Sequence, residues 1–332
     1  METRIWCEFT PPGEVCRDYI IDAFKRYKVI LSYKLEYGCD NEDFYNMIKF
    51  YNDHDVPVSI WATLSDEMGY WINEKNAEHF DKYVRKLVEM LEYKCLKIKG
   101  LCIDLELPLQ DIKNLCNSKN TISPLITCVK MLTSNLNKKR FNEAGRILPA
   151  TARFLRSKGL ESYAACIRHC YYDIRFNSEI VQNALEIPVF DVGWDRYDLM
   201  YYSTMIRNEL KRIKKADIDY LMYHQISHLK KVLKDKLAVS LGVTNVGKMG
   251  NEPYYEDISE FEKDMGILKE IEIKSFSLFS LDGIIEKNRL TGYLAAVERA
   301  KPYKPPICKR VIRNEVISKL LFDIGKLYYR LR

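Results

Sequence analysis

The stretch that decides the fold reads KGLCIDLELP, residues 99–108, and predicts a buried β-strand that ends in carboxylates. Side chains alternate between the two faces of a strand, so Cys102, Asp104 and Glu106 share one face while leucine and isoleucine fill the other. Pro108 ends the run, because proline cannot donate the next ladder hydrogen bond. Acids on an otherwise apolar strand are costly to bury. We therefore expect either an ion-paired or hydrogen-bonded core acid, or a catalytic acid whose pKa a neighbour sets.

Short β-rich runs alternate with longer helical segments on both sides of this strand, which is typical of a parallel sheet. The predicted strands cover residues 4–9, 28–36, 57–64, 99–108, 162–169, 198–203, 237–243 and 274–281. Eight strands, each followed by a helix, predict an α/β protein with a single closed (β/α)8 TIM barrel. An open doubly wound sheet is the alternative, but no GxGxxG follows the first strand and no GxxxxGK[ST] loop occurs.

Helical spacing fills the segments between the predicted strands. The predicted helices cover residues 14–27, 42–53, 77–93, 122–136, 140–158, 177–185, 218–234, 258–269, 290–300 and 313–329. The helix over 140–158 is expected to break near Pro149. Because prolines cluster at 302–306, we divide the chain into a barrel over 1–300 and a C-terminal helical extension over 301–332, packed on the barrel.

Composition and charge exclude several classes of protein. The 332 residues are 47% hydrophobic and 30% charged, and 52 basic residues are scattered among 46 acidic ones, for a net charge of +6. This pattern predicts a globular enzyme-sized domain without a nucleic-acid-binding surface. No apolar run approaches the roughly 18 residues of a membrane span, and no secretory signal is evident at the N-terminus. The ten cysteines form no CxxC pair, so we expect free thiols and a cytoplasmic location without a membrane partner.

The carboxyl ends of the strands are where such barrels place their working residues. Acids, aromatic rings and one histidine lie at these ends and in the loop after the third strand. The candidates there are Glu8, Trp61, Trp71, Asp104, Glu106, His169, Tyr202, Asn245 and Asp282. Such a set suits carbohydrate chemistry, which needs a protonated carboxyl at the glycosidic oxygen and support for an oxocarbenium-like centre. Aromatic rings offer flat faces to sugar C–H surfaces.

A family resemblance follows from the fourth strand. The run GLCIDLE resembles the fourth-strand motif of family 18 glycoside hydrolases, the chitinase-like barrels, whose pattern is DGxDxDxE. Gly100, Asp104 and Glu106 match this pattern, whereas Lys99 and Cys102 stand where its first two acids would be. The D-x-E pair also resembles family 25 lysozymes, another group of barrels.

A second short motif lies on the sixth predicted strand. The run Met200-Tyr201-Tyr202-Ser203 is similar to the M-x-Y-D motif of the same family. Met200 and Tyr202 match it, and Ser203 replaces its aspartate.

The resemblance implies a retaining glycosidase that acts on an N-acetylated sugar. Glu106 would be the proton donor, and Asp104 would orient the 2-acetamido group as it attacks the anomeric carbon. Tyr202 would hydrogen-bond the acetamido oxygen. If that route is not used, Asp104 could be a direct nucleophile, because residues two apart on a strand are roughly 6–7 Å apart at Cα. That spacing is compatible with the ~5–5.5 Å between carboxyls of retaining enzymes.

Two further hypotheses remain open. The first is a barrel that has lost catalysis and binds glycans or a protein partner, which the replacements at Lys99 and Cys102 favour. The second is a metal-dependent sugar isomerase or epimerase, with His169 among the strand-end acids. No histidine cluster and no zinc-ligand spacing occurs, so we expect neither a metal ion nor a cofactor. The expected ligand is a carbohydrate or another small polar substrate.

Overall fold

The structure is a computed structural model that describes residues 1–111, 137–209, 214–245, 247–248, 250 and 252–331. Eight parallel strands form a closed barrel, in which each strand pairs with the next and the eighth pairs with the first. The strands are β1 (Glu2–Cys7), β2 (Val29–Glu36), β3 (Val58–Thr63), β4 (Gly100–Leu105), β5 (Glu161–Ile167), β6 (Arg196–Met200), β7 (Leu237–Gly242) and β8 (Ser275–Phe279). The predicted (β/α)8 TIM barrel is confirmed.

Helices surround the barrel wherever the structure describes the connections. They are α1 (Pro12–Val15), α2 (Asp18–Tyr27), α3 (Glu42–Asp53), α4 (Ala77–Tyr93), α5 (Lys138–Ser157), α6 (Tyr171–Phe176), α7 (Ile180–Ala184), α8 (Ser203–Glu209), α9 (Lys215–Leu233), α10 (Ile258–Glu270), α11 (Leu281–Glu286), α12 (Leu290–Arg299) and α13 (Lys309–Leu331). Their apolar stripes face the sheet, as in α4, where seven buried residues lie along one face. No helix within the described ranges is long and apolar enough to cross a membrane.

Several predicted element ends are corrected by the structure. The fifth strand stops at Ile167 instead of His169, because Arg168–Cys170 form a 3₁₀ turn that leads into α6. The sixth strand ends at Met200, because Ser203 begins α8. The eighth strand ends at Phe279, since the next residue is the N-cap of α11.

Two predicted helices also differ. The single helix expected over 14–27 is two helices, α1 and α2, joined at Cys16 and Arg17. The expected break near Pro149 is absent, and α5 continues through this proline. Tertiary packing outweighs local propensity here, because both halves of α5 carry buried residues, from Phe141 to Leu155. The predicted helix over 122–136 lies outside the described residues.

The C-terminal helix α13 contacts two outer helices of the barrel. The Glu315 carboxylate accepts hydrogen bonds from Arg175 Nε at 2.6 Å and from His224 Nε2 at 2.7 Å. These partners lie on α6 and α9, respectively. The division into a barrel over 1–300 and an extension over 301–332 stays a prediction.

The lower interior of the barrel is a closed polar layer. Arg4 on β1 is completely buried, and its Nη1 donates to Ser59 Oγ at 2.8 Å and to Ser32 Oγ at 3.2 Å. Its Nη2 lies 2.9 Å from Glu161 Oε2, and its guanidinium carbon lies 4.1 Å from the centre of the Tyr163 ring. A buried charge needs such partners, because desolvation otherwise outweighs its interactions. We call this layer the floor of the barrel. The aromatic rings above it, among them Trp6 and Trp61, form the base of the candidate site.

Candidate active site

A cavity of about 270 Å³ opens at the carboxyl ends of the strands. It is lined by aromatic rings, aliphatic side chains and several acids. The lining residues are Trp6, Glu8, Trp61, Trp71, Asp104, Glu106, Ala165, Ile167, Arg168, His169, Met200, Tyr202, Met205, Ile206, Val243, Gly247, Lys248, Glu252 and Phe279. A concave, mainly apolar site with a few converging polar groups is the usual form of a small-molecule site.

The acid pair of the fourth strand lies in this cavity. Asp104 is the penultimate residue of β4, and Glu106 follows the strand end. The backbone at this point is held by Ile72, whose N–H donates to the Asp104 carbonyl at 2.9 Å and forms a parallel bridge beside Leu105. Asp104 is buried, and within the described part of the chain its Oδ1 has no hydrogen-bond partner. An unpaired buried carboxylate oxygen favours either protonation or a ligand that donates to it.

The electrostatics of the pair keep it partly protonated near neutral pH. Burial raises the pKa of Asp104 well above its usual range, and the Glu106 carboxylate raises that pKa further. Burial also raises the pKa of Glu106 to about 8, with smaller contributions from the carboxylates of Glu8 and Glu252. Neighbouring acids resist simultaneous ionisation, because two like charges in a dry site repel. The arrangement therefore holds a proton at a carboxyl that faces the cavity.

Glu8 adds a third carboxyl from the end of β1. Its Oε1 accepts a hydrogen bond of 2.6 Å from Tyr70 Oη, and both residues are buried. Burial raises the pKa of Glu8 to about 7, while the hydrogen bond from Tyr70 opposes this rise. Tyr70 follows β3, where its carbonyl accepts from the Leu64 N–H at 2.9 Å. The loop after β3 thus fixes the orientation of the carboxyl from β1.

Aromatic rings form the base and one wall of the cavity. The rings of Trp6 and Trp61 meet edge to face, with centroids 5.1 Å apart. Within the described residues neither indole Nε1 has a hydrogen-bond partner, although both tryptophans are buried. Tyr202 stacks on Phe279 with centroids 5.7 Å apart. Two indole donors and the Asp104 acceptor are therefore buried beside a largely apolar space without protein partners among the described residues.

Gly242 lets β7 pass close to the Tyr202 ring. A Cβ placed on Gly242 would lie 3.0 Å from Tyr202 Cδ1 and 3.0 Å from the Phe279 carbonyl oxygen. Any larger residue would therefore displace the tyrosine ring or the neighbouring strand β8.

Seven of the nine sequence-predicted residues line the cavity, and two do not. The Asn245 side chain donates to Glu286 Oε2. Asp282 braces the loop after β1, because its carboxylate accepts the N–H groups of Glu8 at 3.0 Å, Phe9 at 2.9 Å and Thr10 at 2.7 Å. The structure thus brings Asp104, Glu106, Tyr202, Glu8, Trp61, Trp71 and His169 together and places Asn245 and Asp282 outside the lining.

Sequence reasoning missed several lining residues. Trp6 precedes Glu8 by two positions, so strand alternation places both on the same face and could have identified it. Phe279 has the corresponding position at the end of β8. Lys248 lies in the long segment after β7, where no local pattern indicates the direction of a side chain.

The motif positions that lack acids have other partners. Lys99 forms an ion pair with Glu2 at the other end of the barrel. Cys102 lies in the polar floor, where Arg4 Nη1 donates to its sulfur at 3.4 Å. Ser203 hydrogen-bonds the buried carboxylate of Asp264. These three side chains are therefore engaged in the body of the protein and do not line the cavity.

Metal ligation has no geometric support in the described residues. Within them, no three histidine, cysteine, aspartate or glutamate side chains lie close enough together to hold a metal ion.

Comparison with known proteins identifies the fold. No family model matches the sequence. A search of curated proteins likewise finds no significant match. Among solved structures, the PgaB (BpsB) glycoside hydrolase domain from Bordetella bronchiseptica is 11% identical, with a TM-score of 0.52, over 92% of this chain and 100% of that one. Catalytic domain 2 of the Group II chitinase from Ostrinia furnacalis is 12% identical, with a TM-score of 0.53, over 92% of this chain and 99% of that one.

A third neighbour is a GH18 chitinase from Pseudoalteromonas aurantia. It is 11% identical, with a TM-score of 0.51, over 89% of this chain and 100% of its own. The chain therefore has the TIM-barrel fold of chitinase-like glycoside hydrolases. At this level of identity the likeness establishes the fold, and the chemistry must be argued from the cavity.

Proposed function

We propose that this protein is a glycoside hydrolase that cleaves the glycosidic bond of an N-acetylated sugar, with Glu106 as the proton donor. The observation that carries the proposal is the pair Asp104 and Glu106 in one cavity, where the pKa of Glu106 is raised to about 8. A carboxyl that stays protonated at neutral pH can donate to a departing oxygen, and such general acid catalysis contributes roughly 10²–10⁴-fold to the rate.

The sugar's own acetamido group supplies the nucleophile in this proposal. The acetamido oxygen forms a bond to the anomeric carbon, the bond from that carbon to the glycosidic oxygen breaks, and the Glu106 proton passes to the departing oxygen. The Asp104 Oδ1, unpartnered in the described structure, accepts the acetamido N–H and supports the charge that develops. Tyr202 is assigned to the acetamido oxygen. Water then opens the cyclic intermediate and returns a proton to Glu106.

The cavity's chemistry supports an amide-bearing ligand. An acetamido group offers one N–H donor and one carbonyl acceptor. The described residues around the cavity leave one buried acceptor, Asp104 Oδ1, and two buried donors, the indole nitrogens of Trp6 and Trp61, without protein partners. Satisfying such groups is favourable, because each costs free energy while it stays unpaired. The apolar walls suit the methyl group and the sugar's C–H faces.

A catalytically inactive glycan-binding barrel is the second candidate. The observation that favours it is the engagement of Cys102 by Arg4, where the resembling family has an acid that shares protons along the strand. A thiol beside a guanidinium cannot share protons along the strand as that acid does. Binding of sugars without turnover would support this candidate.

Rates on matched aryl glycosides test the proposal. The substrates are 4-nitrophenyl glycosides with and without the N-acetyl group, and the proteins are wild type, Glu106→Gln and Asp104→Asn. We expect turnover of the N-acetylated substrate only, a large loss in both variants, and no loss in Glu36→Gln. Glu36 is the matched control, because it ends β2 and does not line the cavity. Equal activity in wild type and Glu106→Gln would refute the proposal.

The compartment is a further part of this proposal. All described cysteines are free thiols, among them the buried Cys7, Cys102, Cys166 and Cys170. Free thiols fit a reducing environment such as the cytoplasm. Fractionation of the cells that produce the protein tests this directly.

A further inference from the structure

Two loops on opposite sides of the barrel meet above the cavity. In the closed ring of eight strands, β3 and β7 are separated by three strands on either side and so lie opposite each other. Lys248, in the segment after β7, places its Nζ 2.9 Å from Oδ1 of Asp66, in the loop after β3. Lys248 also lines the cavity. The ion pair therefore spans the mouth of the barrel, and we call Lys248 with Asp66 the mouth bridge.

The bridge rests on the cavity wall. Lys248 Nζ lies 4.1 Å from the centre of the Tyr70 ring, a cation–π contact. Tyr70 is fully buried and donates to Glu8, so the ring beneath the lysine is held in place. Next to the lysine, Gly247 lies against Phe279, since a Cβ added there would be 3.1 Å from Phe279 Cε1. The bridge is thus packed down over the ends of β8 and β1.

The mouth bridge restricts which ligands can enter the cavity. Phe279 ends β8 and Glu8 follows β1, so the covered half of the mouth runs from β7 through β8 and β1 to β3. The described cavity below it measures about 270 Å³, slightly less than the roughly 300–1,000 Å³ of typical ligand pockets. A glycan cut at an internal bond must extend from the cleaved linkage in both directions. A covered half-mouth and a small cavity leave room for extension in one direction only.

We infer that the cavity holds a single terminal sugar, so that the protein removes non-reducing-end residues from small glycosides or chain ends and does not cut internal linkages. This inference rests on the proposed function, because it describes the substrate of the same site. The terminal sugar occupies the space between the bridge, the aromatic base and the acid pair. The remainder of the glycan leaves on the side of the mouth away from the bridge, past the segments that follow β5 and β6.

Chain-length dependence of binding tests the inference separately from turnover. Calorimetry with Glu106→Gln measures affinity for N-acetylglucosamine, its β-1,4-linked dimer and its tetramer. From dimer to tetramer we expect a change of less than about threefold, because sugars outside the cavity bury little surface. An increase of more than about tenfold would overturn the inference, since it requires further sugars bound in a cleft. Absence of binding by all three sugars would also overturn it.

Breaking the bridge provides the second measurement. In Lys248→Ala, we expect the ratio of tetramer to monomer affinity to rise, because the covered half of the mouth opens. The control is Lys82→Ala, which removes an exposed ion pair with Glu78 on α4, neither of which lines the cavity. An unchanged ratio in Lys248→Ala would count against the bridge as the determinant. Sugar binding with this length dependence but without hydrolysis would refute the proposed function, and with it the removal of terminal residues, while leaving the fit of a single sugar in the cavity intact.

Discussion

The guanidinium of Arg4 lies against the thiol of Cys102, with Nη1 3.4 Å from Sγ, at the centre of the barrel floor. The two residues come from β1 and β4, which are not neighbours in the ring, so their contact crosses the barrel interior. The resembling family has an acid at the Cys102 position. Here Cys102 has that place beside the buried Arg4 cation, and Glu161 on β5 supplies the counter-charge of Arg4 at 2.9 Å. Of the four acids in the motif that the fourth strand resembles, the chain has Asp104 and Glu106.

Loss of this buried cation should destabilise the barrel strongly. Arg4→Ala leaves the Glu161 carboxylate and the surrounding hydroxyls without their partner, and removing one member of a buried ion pair costs about 3–5 kcal/mol. Urea unfolding followed by circular dichroism gives the change in the free energy of unfolding. Lys49→Ala, which removes an exposed pair with Asp53 on α3, should cost less than ~1 kcal/mol. Similar costs in the two variants would contradict the assignment of Arg4 to the floor.

The activity should fall at alkaline pH. Because the pKa of Glu106 is raised to about 8, the protonated donor predominates below that pH and is lost above it. We expect kcat/KM for an N-acetylated aryl glycoside to decline through pH 8, since this parameter reports the ionisation of the free enzyme. A pH series in one buffer system measures it. A profile that stays flat to pH 9.5 or so would be incompatible with a carboxyl donor of this pKa.

The Tyr70 hydroxyl should hold down the pKa of Glu8. The hydrogen bond from Tyr70 Oη to Oε1 lowers the pKa of Glu8. Tyr70→Phe removes this bond, so the Glu8 titration is expected to move above pH 7. Carbon-13 NMR of labelled glutamate side chains, with Glu8→Gln for assignment, measures the shift. Tyr37→Phe is a suitable control, because Tyr37 is an exposed tyrosine that does not line the cavity. A downward shift in Tyr70→Phe would contradict the proposed contact.

Asp104 should matter for N-acetylated substrates in particular. In Asp104→Asn the side chain keeps its size, but it can no longer ionise to support the charge that develops as the acetamido group attacks. We expect kcat to fall by about 10²-fold or more while KM changes little, because the charge develops only in the transition state. Steady-state kinetics separate the two parameters. A pure rise in KM would instead assign Asp104 to ground-state binding.

Much of the fold was predictable from local patterns. The apolar runs that end in turn residues identified all eight strands, and alternation along 99–108 placed Asp104 and Glu106 on one face. The strand ends were less predictable, because they depend on the connection that follows. At β5, for example, the 3₁₀ turn over Arg168–Cys170 uses residues that read as strand, so His169 belongs to the rim.

The hydrogen-bond and ion-pair partners of residues in and around the site could not be predicted from the sequence. Asp282 stands at a strand end like the cavity acids, yet three backbone N–H groups of the first loop occupy its carboxylate. The contact between Asp66 and Lys248 joins loops far apart in the chain, and no periodicity describes it. The local sequence pattern predicts which face of a strand a side chain lies on. The contacts that the side chain makes depend on how the barrel closes.

Leaving-group dependence tests the role of Glu106 most directly. Hydrolysis rates of wild type and Glu106→Gln are compared on N-acetylated aryl glycosides whose phenols range from strongly to weakly acidic. A proton donor is needed most by the poorest leaving group, so the account predicts a loss of about 10²–10⁴-fold there and a much smaller loss with dinitrophenol. An equal loss on every phenol, or none on any, would contradict the assignment of Glu106 as the donor.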